Sequence, residues 1–249
     1  MNVTVLHFAK MLQSDVVPES HVNIMFNLDQ TPNQDACDVS IIIPIGPGDN
    51  SWHGLIDELR QTPFFAEIIC VGTTAQTEFL TEARPVKWVI SPRGRARQMN
   101  VGAAQARGRF LWFLHADSRF DLNTLEALQR SWTAAPAALL YFNLVFQTDG
   151  PRWMPLNAWG VWFRSHWLGM PFGDQGLCLN RELFDQLGGY SEVARYGEDH
   201  LLVWTARRRG IPLHCTGGTL HTSARKYREY GWFRTTCRHV WLTLLQACP

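Results

Sequence analysis

Residues 110–120 read FLWFLHADSRF. Five apolar residues, Phe110 to Leu114, run without a break into His115-Ala116-Asp117, and polar sequence follows. An apolar run of this length, with no alternation, is the pattern of a strand buried on both faces. Such a strand needs packed helices above and below it. It leaves the core on a histidine and a carboxylate, two side chains that carry chemistry.

Working outward, the flanking sequence supplies the rest of that architecture. Val39 to Ile45 (VSIIIPI) reads as a strand running into the turn-rich Gly46-Pro47-Gly48-Asp49. Ser51 is placed to cap a helix with Trp52, Leu55, Ile56 and Leu59 on one face. Strands are expected at Glu67 to Val71 and Val86 to Ile90, a helix from Gly94 to Ala106 stopped by Gly108, and an amphipathic helix from Leu122 to Trp132. Strands alternating with helices imply an α/β fold, a mostly parallel sheet with helices on both faces. Ligands of such sheets bind outside the carboxyl ends of the strands, where His115 and Asp117 lie.

The second half is less regular. It offers a tryptophan-rich stretch over 153–170 and then PFGDQG. A short strand around Leu177, a helix from Arg181 to Leu187, a helix opened by Glu198-Asp199 and a last amphipathic segment from Tyr227 to Leu245 follow. Residues 1–38 have weak periodicity and a polar end, so they read as an extension to a single domain at 39–249.

Composition narrows the function. With 249 residues, 46% hydrophobic and 18% charged, the chain is long enough for a substantial core. A formal charge of +1 gives no reason to expect a nucleic-acid partner, so an anion site must come from local clustering. No apolar run spans a bilayer, the first residues do not read as a signal peptide, and the six cysteines form no CxxC pair. These features point to a cytoplasmic protein with reduced thiols. The GWFRTTCRHVWLTLLQ stretch near the C-terminus is amphipathic and basic enough to touch the inner face of a membrane, and otherwise packs on the domain.

Several stretches could hold reactive groups. Asp117 could carry Mg²⁺ or Mn²⁺ at the mouth of the sheet, with His115 on the same side of an extended segment; the plainer reading is a solvated aspartate opening a turn. Arg93, Arg95 and Arg97 enter a helix whose amino end favours anions, and could clamp a diphosphate or simply lie on a solvated loop. Gly173, Asp174 and Gln175 form a glycine-flanked loop suited to hydroxyl recognition, or an ordinary turn. Glu198 and Asp199 are explained by helix capping, unless the helix faces the cleft and one of them removes a proton. Trp153, Trp159, Trp162 and Trp167 read first as core and second as a floor for sugar or lipid.

Taken in order, VSIIIP, EIICV, GRARQMNVGAAQARGRFLWFLHAD, PFGDQGLCLNRELFDQLGGY, GEDHLL and RRRG resemble an inverting family 2 glycosyltransferase with the GT-A fold, over roughly Val39 to Leu245. The most similar branch has HAD where most members have DxD, and carries the GDQ loop and a TSAR tail, here Thr222 to Arg225. The resemblance implies a nucleotide-sugar donor, a divalent cation (Mn²⁺ or Mg²⁺), and an acceptor hydroxyl on a small molecule, glycan or lipid-linked compound. By the same resemblance Asp117, with His115, would hold the cation, and Pro44, Arg95 and Asn100 would line the donor side. Gly173, Asp174 and Gln175 would border sugar and acceptor, and Asp199 would be the general base with Glu198 beside it.

The chain departs from the family pattern at Ile45 to Gly48, where an Asn-Glu pair is usual, and at Gly72, where the second strand usually ends in aspartate. It departs again at Leu201 and at Trp204 or Thr205. These changes keep open a catalytically degenerate binding protein. A nucleotidyltransferase ranks third, because GPGDN lacks the basic residue such enzymes carry after the first strand.

Overall fold

The structure, a computed structural model, describes residues 38–62, 66–76, 86–194 and 197–247, except the side chains of 239 and 242–247. Apart from Asp38, the expected N-terminal extension lies outside the described residues. Those described fall within one compact unit.

The first half alternates as the apolar runs require. Strands β1 (Val39–Pro44), β2 (Glu67–Gly72), β3 (Val86–Ile90) and β4 (Phe110–Phe113) are joined through helices α1 (Trp52–Gln61) and α2 (Arg95–Gln105). They pair in parallel in the order β3-β2-β1-β4. The side-chain period of two sends Ile41, Ile43, Phe110 and Trp112 into one core and Ile42, Leu111 and Phe113 into the other. With both faces covered, β1, β2 and β4 are buried over nearly their whole length, whereas the edge strand β3 keeps Lys87 exposed.

Trp52, Leu55, Ile56 and Leu59 of α1 fill the first core, as their spacing predicts. Helix α2 covers the other face so closely that a Cβ on Gly102 would lie 2.5 Å from Ile42 Cγ2. Gln98 fixes the helix to the strand ends by donating to the carbonyls of Ile45 (2.8 Å) and Val71 (2.6 Å).

Two local expectations are corrected. Ser51 does not cap α1; its hydroxyl and amide both bond Asp49 Oδ1, at 2.6 and 2.9 Å. Gly108 is not a helix stop, since α2 ends at Gln105. It is the point where the chain passes under β1, with no room for a Cβ against the Ser40 amide.

The second half extends the sheet with mixed directions. It adds β5 (Arg119–Phe120), α3 (Leu122–Ala134), β6 (Leu139–Phe146), α4 (Met154–His166), a 3₁₀ turn at Gly173–Gln175 and β7 (Cys178–Asn180). Then come α5 (Arg181–Leu187), α6 (Glu198–Arg208), β8 (Leu213–Thr222), α7 (Arg225–Glu229) and α8 (Trp232–Ala247). The described strands form one eight-stranded sheet, β3-β2-β1-β4-β7-β6-β8-β5. β7 runs antiparallel to both β4 and β6, while β6 and β8 are parallel.

The last amphipathic segment is two helices, broken at Gly231 in the left-handed region (φ 83°). The expectation that the 153–167 tryptophans are core is overturned. Trp153, Trp159, Trp162 and Trp167 are all on the surface, because the inner face of α4 is occupied by Met154, Arg164 and Ser165.

Candidate active site

Four segments remote in sequence meet at the carboxyl end of β4, each for a local reason. The antiparallel pairing of β7 on β4, with Trp112 opposite Cys178 and the Phe113 amide bonded to the Leu177 carbonyl (2.9 Å), carries the Gly173–Gln175 turn to the exit where His115 and Asp117 emerge. Gly176, in the left-handed region (φ 62°), makes the change of direction between turn and strand. Leu202, Val203 and Ala206 anchor α6 in the second core and leave Glu198 and Asp199 at its amino end. Arg95 is the first residue of α2, which packs on β1 and β2.

Arg95 joins them. Its Nη2 donates to Asp199 Oδ2 at 3.1 Å and also meets Nε2 of His115, while Nε lies 3.4 Å from Glu198 Oε1. Because a guanidinium only donates, His115 accepts at Nε2 and is the neutral tautomer protonated at Nδ1. Gly173 lies directly against the Arg95–Asp199 pair, and a Cβ there would overlap the carboxylate and approach Arg95 Nη2 to 2.6 Å. Glycine is required at this position by close approach.

Charge at the site is set by burial. Removal from water pushes the Asp199 carboxyl up to about 6 against the pull of Arg95, with Glu198 and Asp174 adding to the rise and a hydrogen bond from the Gly173 backbone opposing it. One of its oxygens, Oδ1, is buried without a hydrogen-bond partner. Burial, then Arg95 and Lys226, hold His115 well below the usual imidazole range. Asp117 is half-buried and raised by burial, with Lys226 pulling the other way.

Two hollows lie near these segments, and neither is lined by Asp117 or His115. The larger, about 1130 Å³, is lined by Glu198 and Asp199 and by cations: Arg93, Arg95 and Arg97 at the start of α2, Lys226 of α7, Arg234 and Arg238 of α8. The smaller, about 560 Å³, lies between Pro47 to Ser51 and Arg225. Lys226 and Arg95, which line the first, draw the Asp117 carboxyl down, and Asp49, which lines the second, pushes it up.

Residues 40–196 match the family model described as Glycosyl transferase family 2. The chain belongs to glycosyl transferase family 2. Solved structures with the same fold include S. aureus TarS (TM-score 0.56, 16% identity, 75% of this chain and 36% of that chain). A second TarS structure, residues 1–349 in complex with UDP-GlcNAc, gives TM-score 0.56 and 16% identity over 75% of this chain and 58% of that one. GalNAc-T7 with UDP, GalNAc and Mn²⁺ gives TM-score 0.57 and 15% identity over 76% of this chain and 44% of that one. The family 2 chain thus spans about a third to three-fifths of the length of these structures. No curated protein matches it.

Among the expected site residues of this family 2 domain, Arg95, His115, Gly173, Glu198 and Asp199 form one contiguous group, and Asp117 adjoins it. Asp174 is close enough to raise Asp199, and its Oδ1 is buried without a partner. Gln175 is fully buried: its amide donates to the Phe142 carbonyl (2.9 Å) and accepts from the Phe172 amide (3.2 Å) and Arg164 (3.4 Å), so it holds the turn together. Asn100 grips the 190–192 segment through the Tyr190 carbonyl and amide (2.8 and 2.9 Å) and Glu192. Pro44 ends β1, three residues before the Pro47–Ser51 loop that lines the smaller hollow, and is not itself in that lining.

At the altered second strand, the space beside Gly72 is filled by the Trp88 ring, and a Cβ on Gly72 would overlap it. The carboxylate usual there in the family has no room. Lys226, Arg234, Arg238 and Tyr190 were not legible as site residues. Lys226 directly follows the TSAR tail, a signal that could have found it; the arginines are brought in only by the packing of α8.

Proposed function

We propose that the chain moves a sugar from a nucleotide-sugar donor to an acceptor hydroxyl with inversion at the anomeric carbon, Asp199 serving as the general base. The supporting observation is the Asp199 carboxylate itself: buried in the larger hollow, held at Oδ2 by Arg95, unbonded at Oδ1 and raised to about 6. A carboxylate poised near neutral pH in the lining of a cavity, with 12% of its side chain exposed, is suited to taking a proton from an attacking hydroxyl. In the single displacement the acceptor oxygen bonds the anomeric carbon as its proton passes to Asp199. The bond to the diphosphate breaks on the opposite face, and its electron pair leaves with the nucleotide diphosphate. Arg95 and Lys226 face the charge that develops there, as preorganised donors should.

The donor set near Asp117 suits a hard divalent cation completed by phosphate oxygens. Asp117, a half-buried carboxylate, feels Lys226 and Arg95, cations that would neutralise a diphosphate. No group of three or more His, Cys, Asp or Glu side chains gathers among the described residues, so the substrate must supply the remaining ligands. Asp117 would hold Mn²⁺ or Mg²⁺; His115 would join it only on release of Nε2 by Arg95. Bound there, the cation would neutralise charge on the leaving diphosphate. His-Ala-Asp in place of DxD supports the reading that the chain belongs to the branch carrying that change. UDP-sugars are the first donors to test, since both TarS and GalNAc-T7 are solved with UDP or a UDP-sugar.

A second reading, a binding protein without turnover, is favoured by the Trp88 ring that fills the space beside Gly72. Incubation with a panel of nucleotide sugars and Mn²⁺ or Mg²⁺ separates the two. Metal-dependent release of nucleotide diphosphate, lost in Asp117→Ala, is expected; binding without release from any donor would overturn the transferase reading.

A further inference from the structure

Helices α4 and α8 carry an apolar surface that sugar transfer does not explain. On α4, Trp159, Phe163 and Trp167 stack as an outward ladder with ring centroids 5.8 and 6.2 Å apart, and Trp159 and Trp167 are 65% and 73% exposed. On α8, Phe233, Val240 and Trp241 are 72%, 53% and 61% exposed. The two helices are fastened side by side: Asn157 donates to Thr236 Oγ1 at 3.1 Å and accepts from the Trp232 indole at 2.5 Å. The two helices are therefore neighbours, and each carries exposed aromatic side chains. Large aromatic side chains left in water over two adjacent helices mark a contact surface.

Charge says what the contact is. Residues 150–173 and 230–249, which contain both helices, hold no aspartate or glutamate, whereas they carry Arg152, Arg164, Arg234 and Arg238. Arg164 is buried, but Arg152 lies over the Trp153 ring (4.8 Å to the centroid), and Arg234 and Arg238 are exposed at the rim of the larger hollow. Exposed indoles beside arginines, on two helices that carry no acidic residue, match the headgroup zone of an anionic bilayer: rings enter the acyl boundary and guanidinium groups stay with the phosphates. No helix among the described residues is long and apolar enough to cross a membrane, so the contact is a surface one.

We propose that α4 and α8 together form a seat for an anionic lipid surface. The seat sets the rim of the larger hollow beside the bilayer. Its existence does not depend on the transferase reading, because binding is measured without any sugar donor.

The test is co-sedimentation of the full chain with vesicles of phosphatidylcholine alone and with about one-third phosphatidylglycerol. The wild type should partition onto the anionic vesicles, and about 0.5 M salt should weaken it. The double variants Trp159→Ser/Trp167→Ser and Phe233→Ser/Trp241→Ser should each lower the partition coefficient about tenfold or more. All four positions are on the surface, and circular dichroism of each variant should match the wild type. No sedimentation with anionic vesicles, equal partition onto both vesicle types, or partition unchanged by the substitutions would overturn the proposal. So would a dimer in sizing chromatography that the same substitutions dissociate, which would assign the face to a second copy of the chain.

Discussion

The two halves of the molecule meet at the same cleft but are held by different forces. The half built on β1 to β4 is apolar on both faces, and its side chains divide cleanly between two cores. The half that supplies Asp199 and the Gly173–Gln175 turn reaches the cleft through polar contacts spanning long stretches of chain. Arg95 meets Asp199 across 104 residues, and Asn100 grips Tyr190 across 90. The difference teaches that position on the sheet side is fixed by packing, whereas on the acid side core packing of α6 and the β4–β7 pairing are completed by a few charged groups and one glycine. Substitutions should therefore separate: sheet-side changes should cost stability, and acid-side changes should cost turnover while the fold survives.

The largest effect is expected for Asp199→Asn. Transfer to acceptor should fall by roughly 10²–10⁴, with the urea midpoint at or above that of the wild type, because the variant no longer buries a carboxylate. Loss of folding instead would break the contrast. On the sheet side, Trp112→Ala empties a fully buried indole position in the first core and should cost about 3–5 kcal/mol in urea denaturation. A cost under about 1 kcal/mol would mean that packing does not fix this half.

Gly173→Ala sharpens the comparison, since its methyl group displaces the Asp199 carboxylate from Arg95 without touching Asp117. Transfer should drop about 100-fold, a larger loss than that in metal-dependent hydrolysis of the donor measured without acceptor. The smallest effect is expected at Asn100, whose replacement by alanine removes bonds to the Tyr190 backbone. It should cost about 1 kcal/mol in thermal denaturation.

The same division explains what the sequence disclosed. Runs such as VSIIIP and FLWF are legible because burial on both faces writes a continuous apolar string, so the parallel strands, their helices and the exit at His115 to Asp117 could be read directly. Strand β8 could not: LHCTGGTLHT has neither an apolar run nor clean alternation. Its glycines accompany a register irregularity against β6, and Gly217 takes φ 79°.

The tryptophans misled because their residue type suggests burial, whereas their place on α4 is opposite the Met154 and Ser165 face. Asp199 and Gly173 could be nominated by family resemblance, but their mutual contact depends on β7 turning back beside β4, which no local spacing encodes. The cations of α7 and α8 enter the cleft only through tertiary packing.

The most direct test is the dependence of kcat/KM for transfer on pH between about 4.5 and 8. Burial raises the Asp199 carboxyl to about 6, so the base form is present above that value and is lost as pH falls through it. The rate should rise about tenfold per pH unit on the acid side and level off above pH 6–7. A rate that is flat across pH 5 to 7 would show that no group like Asp199 accepts the acceptor's proton.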